Sequence, residues 1–514
     1  MPFTRKDLWR LGNDWNDEML WYARAVADLQ SRPIGDATSW GYLAAMHGFD
    51  PQLWQAFGYL APGTRPPSTA GRDWDQCQHQ SWFFLPWHRG YLWSFESIVR
   101  ASIIKQGGPA DWALPYWNYN NPANANARTL PLSLTAATLP DGSQNPLAPD
   151  RRYGANGRGQ INLNPAAIAL DCLTEPDFVG VPSGGSPGFG GAPTAFHHGG
   201  EDNAPNGMLE SMPHNNVHDE VGGHRRGTNP NDARNLGLMS MPETAALDPV
   251  FWLHHANVDR LWEVWRARDS AHFDPTDPTW LGGPTTRAFV VPDAQGNPLT
   301  FAPRDMLDVR AQNLDYVYED TSDPLGGVSA LAARHAILAS ARRAPPAPGR
   351  APVRQPAELL GANDTRLQLG AEPVETRVRL DRPTTARVRQ SLQSFAAAGT
   401  GHPDRVFLNL ENIRSEGGGG SYRVYVAPPG VANAPDNLAG TMSLFGVRKA
   451  SRGDGPRAGN GLNTVLDVTR IVDRLHVANS LDTDHLVVRF VPATETEVPH
   501  QVSVGRVSLY RQGR

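Results

Sequence analysis

The chain has 514 residues, a formal net charge of −5 and 19% charged residues. This balance excludes a strongly basic surface for nucleic acid, and no apolar run approaches the roughly 20 residues that a membrane-spanning helix needs. The length predicts two or three domains rather than a single core. Because Cys77 and Cys172 are the only cysteines, a disulfide framework is also excluded. The lack of a signal-peptide pattern favours the cytoplasm.

Helical periodicity dominates the first hundred residues. Residues 17–30 carry apolar side chains three and four positions apart, which predicts an amphipathic helix. A second, shorter helix is expected to end at Gly48. A third is expected from about Pro86, because proline suits the first turn of a helix.

A long irregular span follows these helices. Residues 118–207 are rich in Pro, Gly, Ser and Asn and predict surface loops. A span of this length without regular elements is unusual inside a domain and often lines a binding site. Helical periodicity returns over residues 208–221 and 248–268, and Asp248 is placed to cap the second of these helices.

The last third of the chain has a different pattern. Residues 344–356 are rich in Pro, Ala and Arg and predict a linker. Beyond them, period-2 alternation separated by Gly, Pro and Asn predicts an antiparallel β-sandwich. The alternating segments are residues 376–382, 421–429, 485–494 and 501–511. We therefore predict a mainly α domain over 1–325, a linker over 326–364 and a β-rich domain over 365–514.

Seven of the 16 histidines lie in compact, aromatic-rich segments: His47, His79, His88, His214, His218, His254 and His255. His214 and His218 are four residues apart and would share one helix face. Pro86 stands between His79 and His88, so we expect the first of these in a loop and the second on the following helix. The adjacent pair at 254 and 255 cannot share a face, so at most one of them is expected to point into a given site.

Six imidazoles without a neighbouring carboxylate cluster predict an all-nitrogen metal site. Imidazole suits Zn, Cu, Fe and Ni, and three ligands per metal leave positions open for an exogenous ligand. Helical bundles build such sites from side chains on facing helices. One HxxxH or HH pair is weak evidence, because most such pairs are ordinary surface or core histidines. The interpretation depends on the conjunction of all the segments.

That conjunction resembles the type-3 copper family, which comprises tyrosinases, catechol oxidases and haemocyanins. The segments are "CQHQSWFFLPWHRGYLWSFE", "LPYWNY", "LESMPHNNVHDEVGG", "DPVFWLHHANVDRLW" and "YVY", and they span most of residues 5–320 in the family's order. The resemblance implies a four-helix bundle that holds a dinuclear copper centre, with dioxygen as co-substrate. Small phenols are the implied partners, and no nucleic acid or membrane is expected.

The resemblance also assigns the metal ligands. The first copper ion would be bound by His47, His79 and His88. The second would be bound by His214, His218 and His255, because the family's HHxxVDR segment uses its second histidine. A cysteine two residues before the histidine at 79 implies a thioether between Cys77 and that ring, and the alternative is an ordinary buried cysteine.

Glu210 and Asn215 match positions that hold a catalytic water in relatives acting on monophenols. A carboxylate that polarises water is a reasonable general base, and the resemblance therefore implies a tyrosinase. The alternatives are a helix-dipole partner for the glutamate and a surface amide for the asparagine. In the same way, Asp219 is expected to attract amine-bearing phenols, and Met239 or Met241 to line the substrate entrance.

The β-rich domain more weakly resembles the C-terminal domain of plant polyphenol oxidases, which packs over the copper site and can hold the enzyme latent. In this chain it is interpreted as a lid, a solubility element or an oligomer contact, and the sequence does not decide whether the chain forms a homo-oligomer. The alternative functions are a catechol oxidase without monophenol activity, a haemocyanin-like oxygen carrier and, more remotely, a dinuclear zinc hydrolase. Zinc hydrolase sites usually include carboxylates, and the histidine motifs contain none.

Overall fold

The computed structural model describes residues 2–198, 204–338, 356–398, 401–453, 459–481, 483–494 and 500–513. The helices in these ranges are α1 (Asp17–Ser31), α2 (Trp40–His47), α3 (Pro51–Ala56), α4 (Ala70–Asp73), α5 (Phe84–Lys105), α6 (Asn216–Gly222), α7 (Pro249–Arg268), α8 (Pro278–Gly282), α9 (Ala330–Leu338), α10 (Arg382–Ala398), α11 (Val447–Ser451) and α12 (Thr469–Val477). In the part of the chain described here, no helix combines the length and apolar character that crossing a bilayer requires.

The strands are short in the first half of the chain and longer in the second. They are β1 (Phe3–Arg5), β2 (Phe289–Pro292), β3 (Pro298–Phe301), β4 (Tyr316–Tyr318), β5 (Ala357–Ala362), β6 (Leu367–Leu369), β7 (Val374–Leu380), β8 (Arg405–Ser415), β9 (Ser421–Ala427), β10 (Leu438–Ser443), β11 (Leu462–Asp467), β12 (His485–Pro492), β13 (Val502–Val504) and β14 (Arg506–Gln512).

The predicted helices begin where their capping residues stand. The side chain of Asn16 accepts a hydrogen bond from Met19 N–H at the start of α1. Asp248 accepts one from Val250 N–H at the start of α7, with proline in the first turn. Such caps satisfy backbone donors that have no partner within the helix.

The predicted helix over residues 208–221 is interrupted. Met212 has φ −153° and ψ 123°, and α6 begins only at Asn216. The cause is Pro213, because the residue before a proline is sterically driven out of the α region. The irregular turn Glu210–Asn215 therefore carries one of the histidines, and α6 carries the next.

Two apolar cores organise the chain. The first is formed by residues between Leu8 and Tyr318, with α5 packed against α1 and α7, and α2 packed against α1. The second extends from Leu338 to Leu509. Phe445, which lies far along the chain within the second region, belongs to the first core. The arrangement is a helical core joined to a sheet domain, and the predicted four-helix bundle stays a prediction.

The C-terminal domain is built on one connected, ten-stranded antiparallel sheet. Its order is β10-β9-β12-β7-β5-β14-β8-β13-β6, with β11 paired to β8. The antiparallel prediction agrees with this, but the strands are not divided into the two separate sheets of a sandwich. Helices α9, α10 and α12 also pack within this domain, and the alternation pattern did not predict them.

Part of the predicted linker is folded. Helix α9 and strand β5 both lie within residues 326–364. Arg334 in α9 pairs with buried Asp473 at 2.7 Å, which attaches this helix to the C-terminal domain. The alanine-rich sequence of α9 favours a helix. The sequence interpretation assigned this segment to the linker because the residues that follow it are rich in proline. Most of the remaining linker, residues 339–355, lies outside the described residues.

A buried polar network ties the N-terminus to the helical core. The carboxylate of Asp259 in α7 accepts hydrogen bonds from Arg89 Nε at 2.6 Å, Tyr316 Oη at 2.6 Å and Arg5 Nη1 at 3.3 Å. Burial alone would raise the pKa of Asp259, but the charges of the two arginines outweigh it and hold the pKa below its ordinary value. The network therefore joins the N-terminal strand to α5 and α7.

Candidate dinuclear metal site

The six predicted ligands converge from separate segments. His47 is the last residue of α2, His79 lies in the loop before α5, and His88 lies in α5 itself. On the other side, His214 lies in the irregular turn, His218 in α6 and His255 in α7. All of these residues are buried except the partly exposed His79. They form two groups, each with ligand atoms that lie within 4.8 Å of one another.

The second group has the geometry of a three-nitrogen metal site. His214 Nε2 lies 3.2 Å from His218 Nε2 and 3.2 Å from His255 Nε2, and the third side of this triangle is 3.4 Å. The point equidistant from its corners lies about 1.9 Å from each nitrogen, close to the roughly 2.0 Å at which imidazole binds a first-row metal. The residues therefore fit a metal ion.

Hydrogen bonds at the other ring nitrogen orient the imidazoles. In four rings Nδ1 donates to a nearby oxygen at 2.7–3.0 Å. The acceptors are Pro242 O for His47, Phe84 O for His88, Asn215 Oδ1 for His214 and Met239 O for His218. Such bonds fix the tautomer and leave Nε2 with its lone pair for a metal.

The first group includes a sulfur atom. His47 Nε2 is buried and has no hydrogen-bond partner, as expected of a ligand atom directed at a metal position. Cys77 Sγ lies 3.6 Å from both ring nitrogens of His79 and 3.4 Å from His88 Nε2. Burial raises the pKa of the Cys77 thiol well above its ordinary value. The cysteine is thus beside the ring to which the sequence predicted a thioether.

The site keeps its imidazoles neutral. Burial lowers the pKa of His214 to about 3, and burial with the nearby charge of other histidines lowers the pKa of His218 well below its ordinary value. Burial likewise lowers the pKa of His47 to about 3. At neutral pH these rings are uncharged, which is the form that binds metal.

His254 lies closer to the second group than the sequence predicted. One of its ring nitrogens lies within 4.8 Å of the ligand atoms of His214, His218 and His255. Its ring is stacked on His214 with centroids 5.3 Å apart. Both adjacent histidines of α7 therefore lie near the second group, because the ring of His254 packs against the ring of His214.

A cavity of about 380 Å³ opens onto the site. Glu210 and Asn215 both line it, together with His47 and His79. The Glu210 carboxylate accepts the Gln80 backbone N–H at 2.9 and 3.0 Å, which holds it in place. The predicted acid and amide are therefore brought together beside the metal positions.

The three predicted substrate-pocket residues do not line this cavity. The Asp219 carboxylate accepts hydrogen bonds from Ser443 Oγ at 2.5 Å and from the N–H groups of Leu444 and Phe445 at 2.9 and 3.2 Å. Burial raises the pKa of Asp219 to about 8. This side chain therefore anchors a segment of the C-terminal domain instead of facing a phenol.

The two methionines are also placed elsewhere. Met239 is fully buried, and its carbonyl accepts the hydrogen bond from His218. Met241 packs in a small apolar cluster with Leu53, Ala233 and Leu236. The sequence interpretation placed them at the entrance because the path of the chain between the histidine segments was unknown.

The sequence interpretation missed Phe445. Its ring is stacked on His218 with centroids 4.0 Å apart and an interplanar angle of 13°. It also meets His79 and His214 edge-on, at 5.7 and 5.9 Å. The only available signal was that the segment "LAGTMSLFG" resembles plant polyphenol oxidases. The C-terminal domain therefore covers the second histidine group with an aromatic ring.

Comparisons with known proteins agree with this architecture. Residues 37–268 match the family model of the common central domain of tyrosinase, and residues 356–512 match a domain of unknown function. Tyrosinase HcTyr1 of Hahella sp. (strain CCB-MM4) is 32% identical over 517 residues, covering 99% of each chain. Polyphenol oxidase E of Solanum lycopersicum is 31% identical over 244 residues, which cover 46% of this chain and 38% of that protein.

Solved structures show a shared fold over the whole chain. Latent apple tyrosinase aligns with a TM-score of 0.56 and 20% identity, covering 99% of this chain and 97% of that chain. Recombinant latent aurone synthase aligns with a TM-score of 0.56 and 19% identity, covering 100% and 90% respectively. With the full-length relative and the two histidine groups, these findings identify the chain as a member of the type-3 copper family of tyrosinases and polyphenol oxidases.

Proposed function

We propose that the protein is a tyrosinase, which hydroxylates small monophenols at the ortho position and oxidises o-diphenols to o-quinones. One monophenol and one dioxygen give one o-quinone and one water. Two o-diphenols and one dioxygen give two o-quinones and two waters. Family membership supports phenol oxidation. The monophenol step depends on one observation, which is that Glu210 lines the cavity together with Asn215 and with His47 and His79 of the first histidine group.

The histidine groups fit two copper ions, because the donors are nitrogens whose lone pairs converge. A coupled pair of copper ions supplies, when bound, the activation of dioxygen and the acceptance of electrons from the phenol ring. The protein supplies the remaining parts. Backbone carbonyls orient His47, His88 and His218 through Nδ1.

Glu210 is the proposed proton acceptor. A monophenol must lose its hydroxyl proton before its ring is oxidised, and a carboxylate can take that proton through one water molecule. The Gln80 N–H holds the carboxylate at the cavity wall. Asn215 Oδ1 is occupied by His214, so the amide nitrogen, which has two donor hydrogens, is the group proposed to orient the water.

The proposal is tested by presenting copper-loaded protein with two substrate classes. A tyrosinase consumes dioxygen with tyramine or tyrosine and also with 4-tert-butylcatechol. Turnover of the catechol alone would identify a catechol oxidase, which is the second candidate because both activities share the same six histidines. Reversible oxygen binding without turnover of either would identify a haemocyanin-like carrier. The readouts are oxygen consumption and quinone absorbance.

We also propose that Cys77 and His79 are joined by a thioether in the mature enzyme. The sulfur lies 3.6 Å from both nitrogens of that ring. Forming the bond removes one hydrogen from the thiol and one from a ring carbon, and both are transferred with two electrons to dioxygen, which is reduced to hydrogen peroxide. Intact-mass spectrometry should find the mature wild-type protein lighter than its sequence by two hydrogen atoms. Cys77→Ser should show no deficit, and alkylation of both thiols in the unfolded wild type would contradict the bond.

Phe445 is expected to limit access to the site. Its stacked ring occupies one face of His218, so a phenol ring must displace it to reach the second metal position. Because stacked aromatic pairs contribute about 0.5–1.5 kcal/mol beyond area burial, Phe445→Ala should raise kcat/KM for 4-tert-butylcatechol about five-fold. The control is Phe273→Ala, which removes an exposed ring elsewhere and should change nothing. Equal rates for all three proteins would show that Phe445 does not restrict entry.

A further inference from the structure

The C-terminal domain forms part of the wall of the metal-site cavity. Its contribution comes from α11 and the residues around it: Phe445, Gly446, Lys449, Ala450, Arg452 and Leu462. The opposite wall comes from the helical domain and includes His47, His79 and Glu210. A phenol in this cavity would therefore contact both domains.

The C-terminal domain is fixed to the helical domain away from this cavity. Arg405 Nη2 donates to the buried carboxylate of Glu175 at 2.8 Å. On an adjacent strand, Gln512 Oε1 accepts the Ser186 N–H at 2.8 Å, and both residues are fully buried. Breaking buried polar contacts of this kind is costly. The domain therefore stays docked when a single side chain at the cavity moves.

Helix α11 has an anchor of its own. Arg448 pairs with Glu243 at 3.3 Å and with Asp50 at 3.7 Å, both in the helical domain. Gly446 separates this helix from Phe445 and has φ +77°, a conformation that glycine adopts without strain. The Phe445 ring can therefore move aside while α11, including Lys449, keeps its position.

Lys449, which follows Arg448 in α11, places a cation in the cavity wall. Its Nζ forms an ion pair with Asp75 Oδ1 at 3.6 Å, and within the described residues it has no other charged partner. Asp50, another acidic residue in the same cavity wall, is paired with Arg448 at 3.7 Å and with Arg452 at 3.8 Å. Lys449 lines the same cavity as His79 and Glu210, and its ammonium group offers three donor hydrogens.

From this placement we propose that Lys449 is a specificity-determining residue that binds the carboxylate of an acidic phenol or catechol. This inference rests on the proposed function. The hydroxyl end of the ring would face the histidines, and a carboxylate on a short chain opposite it would meet the ammonium group. An ammonium ion offers three donors and pairs with a carboxylate as a point charge. The C-terminal domain would then select substrates as well as cover the site.

The experiment compares three catechols on the full copper-loaded chain, so that monophenol activity is not required. For 3,4-dihydroxyphenylpropionate, Lys449→Gln should lower kcat/KM about five-fold, mainly through KM, because partly exposed ion pairs are modest. For neutral 4-methylcatechol the same variant should match wild type, and for dopamine it should match or exceed it. Lys449→Arg should rank the three catechols by kcat/KM in the same order as wild type. An equal effect on all three substrates would overturn the proposal.

Lys105→Gln is the matched control, because it removes the same charge from the exposed end of α5 and should leave all three substrates unaffected. Calorimetric titration with 3-phenylpropionate, which cannot be oxidised as a catechol, gives a readout independent of turnover. Lys449→Gln should weaken this binding several-fold but not that of 3-phenylpropanol. If no catechol is oxidised, the proposed function fails while the titration still tests Lys449. Equal binding of the acid by wild type and Lys449→Gln would refute its role.

Discussion

Replacing Asp259 with alanine is expected to destabilise the helical domain by about 3–5 kcal/mol, because it leaves buried charges without their partner. Arg5 and Arg89 both lie in the interior, at 0% exposure, and both donate to this carboxylate. Tyr316 donates its hydroxyl to the same group. The network joins β1, β4, α5 and α7, so its loss would loosen the base on which two of the histidine-bearing helices rest.

Differential scanning calorimetry measures this effect as a fall of roughly 5–10 °C in the transition of the helical domain. Asp259→Asn should lose less, because an amide oxygen still accepts a hydrogen bond. Asp111→Ala removes a carboxylate from an exposed position and should change stability by no more than about 0.5 kcal/mol. A transition temperature for Asp259→Ala equal to that of wild type would show that the network does not hold the domain together.

Replacing Glu210 with glutamine is expected to separate the two proposed activities. A positioned general base typically contributes about a hundred-fold or more, so kcat for tyramine should fall by about that factor. Oxidation of 4-tert-butylcatechol should change little, because an o-diphenol is a stronger acid whose second oxygen is already in place. The amide keeps an oxygen that can accept the Gln80 N–H, so the fold of the site is preserved.

Glu220→Gln provides the matched control. Glu220 lies in α6 close to the same site, but its carboxylate accepts the Asn164 N–H and does not line the cavity. This variant should keep both activities. Copper content should be equal in all three proteins, which separates loss of the base from loss of metal. Parallel losses of monophenol and catechol turnover in Glu210→Gln, at full copper content, would contradict a role confined to proton transfer.

Local sequence patterns predicted much of the helical domain. Periodic apolar residues and the caps at Asp248 and Pro249 located α7 to within a residue of its ends. Pro86 correctly marked the first turn of α5. The sequence also pointed to the six histidines that the structure brings together in two groups, through the resemblance of their segments to the type-3 copper family. These features depend on neighbours within a few positions, which a single sequence displays directly.

Other features depend on contacts between segments far apart in the chain. The sequence predicted a substrate-binding role for Asp219, but its carboxylate accepts hydrogen bonds from Ser443 and Phe445 of the C-terminal domain. No local pattern marks Lys449, and only the position of α11 places it in the cavity wall. By itself the sequence determined helices such as α1, α5 and α7 and the cap of α7, because periodicity and capping act locally. Only the tertiary structure decided which remote side chains close the site, because the docking of one domain on another depends on complementary surfaces that no local pattern encodes.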